Sequence, residues 1–179
     1  PVEMLRARWM ERAGIAPGAV THVFLTSFHP ETHRGIALFE HAQWLIAESE
    51  REGAGVPLVR LLHEAHGRGE QALTSQLAGE VATLQRCTPA PDSLAPGVDL
   101  FPLPGVTPGL SGLLLGQDDE QTTLLCGDAV PTVEHLRERQ VLPTCADVER
   151  ARTSFGEAIE IADVLVLGRD NAIVNEFGG

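Results

Sequence analysis

The 179 residues, about 19.2 kDa, carry a net charge of −12 with 13 arginines, no lysine and 25 acidic side chains. That balance excludes a nucleic-acid surface or an anionic-membrane surface, because both depend on clustered cations that replace counterions. Three cysteines, Cys87, Cys126 and Cys145, form neither a CxxC pair nor an even framework. Zinc-finger and disulfide-scaffold readings therefore fail, and a reducing cytoplasm is the expected compartment. No run of about 18 apolar residues and no signal-like start is found, so no membrane span is expected.

In chain order, Val2, Leu5, Trp9 and Ala13 recur at helical spacing and stop at Gly14 and Pro17, which predicts an opening amphipathic helix. Residues 21–26 read as a short buried strand, followed by a polar loop over 29–34, a brief helix over 35–42 and a second strand over 44–47. Helical patterning over 57–66 and 70–86, split by Gly67-Arg68-Gly69, predicts a helical hairpin, an insertion spanning about 56–87. The Pro-rich stretch 88–97 reads as a surface loop and 98–103 as a strand. Residues 110–115 and 122–126 read as a β-hairpin across an acidic turn. Asp147 is placed to cap a helix carrying Val148, Ala151, Phe155, Ala158 and Ala162, and 164–167 is a fully apolar strand. Mixed strands and helices with adjacent hairpin strands predict a layered α/β architecture in one domain over 1–179.

Several loops that follow strands carry the polar residues. Thr26-Ser27-Phe28-His29-Pro30-Glu31-Thr32-His33 follows the strand that ends at Leu25. Its register resembles the Thr-His-x-His-x-Asp-His signature of the metallo-β-lactamase-fold hydrolases. Pro104-Gly105-Val106-Thr107-Pro108-Gly109-Leu110 is similar to the Pro-Gly-His-Thr-Pro-Gly-His segment of that family. Leu125-Cys126-Gly127-Asp128 resembles its Gly-Asp strand end, and Val164 to Asp170 its closing strand. The resemblance spans nearly the whole chain and implies the αββα four-layer sandwich. Members usually begin with strands absent here, so an N-terminally incomplete sheet is expected, completed by a missing segment or by another copy in a homo-oligomer.

Family members hold two metals with five His and two Asp, which activate a bridging hydroxide. Carried over, Ser27 stands for the first His, His29 keeps the second, Glu31 replaces an Asp and Thr32 the adjoining His. Val106 stands for a further His, Asp128 keeps the bridging carboxylate and Arg169 stands for the last His. The resemblance thus implies a degenerate site and a non-enzymatic or weakly active binding or assembly module without cofactor. The competing reading is a hydrolase of an ester, thioester, lactone or phosphoester, with zinc or another divalent metal on His29, Glu31 and Asp128 and His33 swung in. Metal-free acid/base chemistry by His29 with Glu31 is a third reading. In the degenerate site the Arg169 guanidinium is expected to bridge Glu31 and Asp128, with Arg169→Ala destabilising the domain by ~3 kcal/mol if both carboxylates are buried. A solvent-facing Arg169 is the alternative. Cys126 reads as a small buried strand residue, and His63 and His66 as residues of a polar helix face.

Overall fold

Leucine-rich strands build the larger of two sheets in the computed structural model, which describes residues 13–116 and 121–178. The smaller sheet is parallel: β1 (His22–Leu25), β2 (Gln43–Ile46) and β3 (Thr88–Pro89), in that order. The larger contains β4 (Ser93–Ala95), β5 (Val98–Pro102), β6 (Ser111–Leu115), β7 (Thr123–Gly127), β8 (Val164–Leu167) and β9 (Ala172–Val174), again in chain order. It is antiparallel except for β7 and β8, which run parallel because a helix crosses between them. Four α-helices are described: α1 (Glu48–Gly67), α2 (Gln71–Arg86), α3 (Val133–Glu138) and α4 (Val148–Ile161).

Period-two alternation sends Leu124, Cys126, Leu165 and Leu167 to one face of the larger sheet, where Phe155, Ala158 and Ile159 of α4 bury them. On the smaller sheet Leu25, Trp44 and Ile46 pack with Leu84 of α2 and with Ala54 and Leu58 of α1. The layers thus run helical hairpin, small sheet, large sheet, α4, which is the expected αββα sandwich. Ser111 N donates to Thr26 O across 3.0 Å, so the end of β1 is tied to the start of β6.

Local chemistry accounts for most boundaries. Asp147 caps α4 by accepting from Arg150 N at 3.0 Å, as its position predicted. Arg139 ends α3 in the left-handed region with φ 53°. Other expectations shift. The first hairpin helix begins at Glu48, not at residue 57, so Pro57 lies inside it. The brief helix over 35–42 is a 3₁₀ turn, Ile36–Phe39. The stretch read as a loop over 88–97 supplies β3 and β4, and Pro89 is tolerated because β3 is an edge strand. The helix expected at the start of the chain falls mainly on residues 1–12, outside the described residues.

Candidate functional site

The ends of β1, β7 and β8 converge, and the glycines there make the convergence possible. Gly127 has φ 53°, and a Cβ on it would lie 2.8 Å from the Thr26 side chain. A Cβ on Gly168 would collide with Gly127 O and stand 3.0 Å from Asp128 N. Only glycine lets the three chains approach this closely. Gly168 N and Arg169 N then donate to Val130 O and Pro131 O at 3.1 and 2.8 Å, fixing the backbone that presents Arg169 beside Asp128.

The result is a polar cavity of about 330 Å³ lined by Thr26, Glu31, Thr32, Asp128, Gly168 and Arg169. Arg169 grips Asp128 with a two-pronged contact, Nε to Oδ1 at 2.9 Å and Nη2 to Oδ2 at 2.8 Å. Its third nitrogen, Nη1, lies 3.7 Å from Oε2 of Glu31. The Asp128 hydrogen bonds, then the Asp128 charge, push the guanidinium above its ordinary pKa, and Glu31 acts in the same direction. The expected bridge between two carboxylates is therefore present in geometry. It is more open than burial of both carboxylates would require: the Asp128 side chain is 13% exposed, Arg169 47% and Glu31 57%.

The other singled-out residues take different places. Ser27 is buried under the loop, and its carbonyl accepts from Thr32 Oγ1 at 2.9 Å. Thr32 also receives His29 N at 3.2 Å and returns its N–H to His29 O at 2.8 Å, which winds 29–32 into a tight turn. His29 is exposed, and its Nδ1 accepts from Glu31 N at 3.3 Å. A neutral ring bonded this way carries its proton on Nε2. His33 points away from the cavity. It stacks on Phe28 with centroids 4.7 Å apart and sets Nε2 2.9 Å from Oε2 of Glu80 on α2, close for an ion pair but aligned too poorly for a hydrogen bond. Val106 packs against the α4 core, with its carbonyl accepting from Ala146 N at 3.1 Å. Cys126 is fully buried, and burial pushes its thiol up to about 12, so it is an inert strand residue.

Sequence reasoning missed Glu50. This side chain, 1% exposed in the first turn of α1, accepts Phe28 N at 2.7 Å, Thr107 Oγ1 at 2.7 Å and Gly109 N at 3.0 Å. It joins the loop after β1 to the 104–109 segment. Its acidic first-turn position was the available signal, hidden by placing the helix start at residue 57.

No family model and no curated protein matches this chain. Solved structures do. A dizinc quorum-quenching lactonase, AidC, superposes with a TM-score of 0.68 at 14% identity, over 96% of this chain and 70% of that one. The hydrolase AbOPH of the beta lactamase superfamily gives 0.63 at 18% identity, over 89% of this chain and 60% of that one. A Thermotoga maritima putative metallo-beta-lactamase gives 0.60 at 17%, over 96% and 77%. The chain has the metallo-β-lactamase fold. It spans 60 to 77% of the lengths of these three structures.

The donor set does not fit the two metals that this fold implies. Among the described residues no group of three or more His, Cys, Asp and Glu is arranged to hold a metal ion. Both Asp128 oxygens are taken by Arg169, the His29 Nδ1 lone pair is taken by the backbone, and Val106 offers no donor. The trio His29, Glu31 and Asp128 thus stands near one cavity without converging as a ligand set. Nor is His33 swung in, because it is occupied with Phe28 and Glu80.

Proposed function

We propose that this chain is a metallo-β-lactamase-fold protein in which a permanent side-chain cation replaces the metal centre, and that it serves as a non-enzymatic or weakly active binding or assembly module. The single observation that carries the reading is the Arg169 fork on Asp128 with Glu31 at 3.7 Å on the remaining nitrogen. A guanidinium balances the charge of Asp128 and attracts Glu31 without offering the open coordination position or the acidified water that hydrolysis on this fold requires. Of the pocket residues expected from the sequence, Glu31, Thr32, Asp128 and Arg169 stand on the cavity wall and Ser27 and His29 belong to the loop that borders it, whereas His33 and Val106 are engaged elsewhere.

Homo-oligomerisation, or completion of the fold by a further segment, is part of the proposal. What supports it is a row of cross-strand partners, Leu100, Leu113, Leu125 and Val166, on the face of the large sheet opposite α4, all only half-buried. A cytoplasmic setting is supported by three free cysteines. No helix among the described residues is long and apolar enough to cross a membrane.

The competing reading, a metal-dependent hydrolase of an ester, thioester, lactone or phosphoester, is favoured by two of the neighbouring structures, a lactonase and a hydrolase. Zinc analysis after equilibration with excess metal and gel filtration separates the two. The module reading expects no stoichiometric zinc in the natural chain or in Arg169→His, since one added imidazole leaves the other substituted positions without donors. Stoichiometric zinc that disappears in His29→Ala and Asp128→Ala would favour the hydrolase and contradict the module.

A further inference from the structure

Away from this cavity, α1 and α2 leave a groove of about 650 Å³ between them, lined by Val56, Val59, Val81 and Leu84 together with Arg51 and Glu52. The walls are mainly aliphatic, and Val56 and Val59 stand 76% and 41% exposed. Isolated surface valines are unremarkable, but these line one concave feature of the size that holds small ligands. The groove also carries one cation, Arg51, and one acid, Glu52, with no ion pair between them. Arg51 makes no side-chain hydrogen bond or ion pair with the described residues, and its Nε is closed to solvent without an acceptor. A second guanidinium, Arg86, lies 3.9 Å over the Trp44 ring, and both arginines act electrostatically on the buried Cys87 thiol. In a chain of net charge −12, two guanidiniums thus stand close to an aliphatic wall.

A guanidinium that lines an apolar groove without a side-chain partner is complementary to an anion that carries its own apolar tail, because the carboxylate pairs with its outer nitrogens while the chain covers the valines and leucines. We propose that this groove binds a medium-chain aliphatic carboxylate, with its head group on Arg51 and its chain between Val56, Val59, Val81 and Leu84. Exposed Glu52 lines the same groove and selects against a second negative charge on the ligand, which favours a monoanion. The site is separate from the Asp128–Arg169 cavity, so neither proposal depends on the other.

The test is calorimetric titration of the full chain with decanoate below its micelle concentration. Saturable one-to-one binding is expected, with decanol, which has the chain without the charge, and acetate, which has the charge without the chain, both much weaker. Arg51→Gln should weaken decanoate by about tenfold, the effect of losing one charge-assisted contact. Gly55→Leu should abolish binding by filling the groove. A Cβ there meets Leu84 Cδ2 at an ordinary 3.6 Å, and leucine favours the helix, so this variant should melt no lower than the natural chain. Absence of saturable binding, equal binding of decanol, or undiminished decanoate binding in either folded variant would overturn the proposal.

Discussion

Two carboxylates near the loop ends are stabilised in opposite ways. Glu50 is 1% exposed and has no ion pair among the described residues; two backbone N–H groups and a threonine hydroxyl satisfy it at the start of a helix. Asp128 faces the cavity and is held by a guanidinium that is itself half in solvent. The first arrangement is scaffold, since its donors would be stranded without the acid. The second is a surface ion pair, whose attraction is screened by water. Closeness to the cavity and importance to the fold are thus separate properties here, and substitutions can pull them apart.

The largest effect is expected from Glu50→Ala. It strands the N–H groups of Phe28 and Gly109 and the Thr107 hydroxyl in the interior, a loss of ~3–5 kcal/mol in urea unfolding. A loss below about 1 kcal/mol would mean that water replaces the carboxylate, and the contrast with Asp128 would collapse. Next comes Gly168→Ala, which forces β7 and β8 apart where the cavity is built and should cost ~1–3 kcal/mol. Its thermal midpoint checks the close approach directly.

Arg169→Ala should lower stability by no more than ~1 kcal/mol, and less as salt is raised, because the arginine is 47% exposed. The sequence-based figure of ~3 kcal/mol assumed that both carboxylates were buried, and Glu31 at 57% exposure is not. A loss of several kcal/mol that resists salt would place Asp128 with Glu50 after all. A smaller, alkaline effect comes from Cys126. Burial raises its folded pKa to about 12 from the ordinary thiol value of 9.0, so its contribution is complete below pH 9 and fades as pH rises toward 12. Urea midpoints should therefore fall more steeply between pH 8 and pH 10 in the natural chain than in Cys126→Ala. Equal slopes would show the thiol to be accessible.

What was legible in the sequence follows the range of the interactions concerned. Period-two apolar runs marked β1, β2 and β5 to β8, and a single local hydrogen bond by Asp147 marked the start of α4. The meeting of Glu31, Asp128 and Arg169 was legible through the order of strand-end motifs, since each sits just past a strand. The first half of α1 was not. Gly53 and Gly55 read locally as breakers and Pro57 as a helix start, whereas the first turns pack on the 104–109 segment, where a Cβ on Gly53 would lie 2.9 Å from Pro108. Glu50 was hidden for the same reason, because its partners lie 22, 57 and 59 residues away. The strands β3, β4 and β9 are two or three residues long and carry no usable periodicity.

The claim that a guanidinium has taken the metal's place is tested most directly by crystals soaked in zinc, with anomalous diffraction recorded at the zinc edge. The account predicts no anomalous peak between Asp128 and Glu31, with Arg169 within hydrogen-bond distance of both Asp128 oxygens. A peak coordinated by Asp128 together with His29 or Glu31, with the Arg169 side chain displaced, would contradict it.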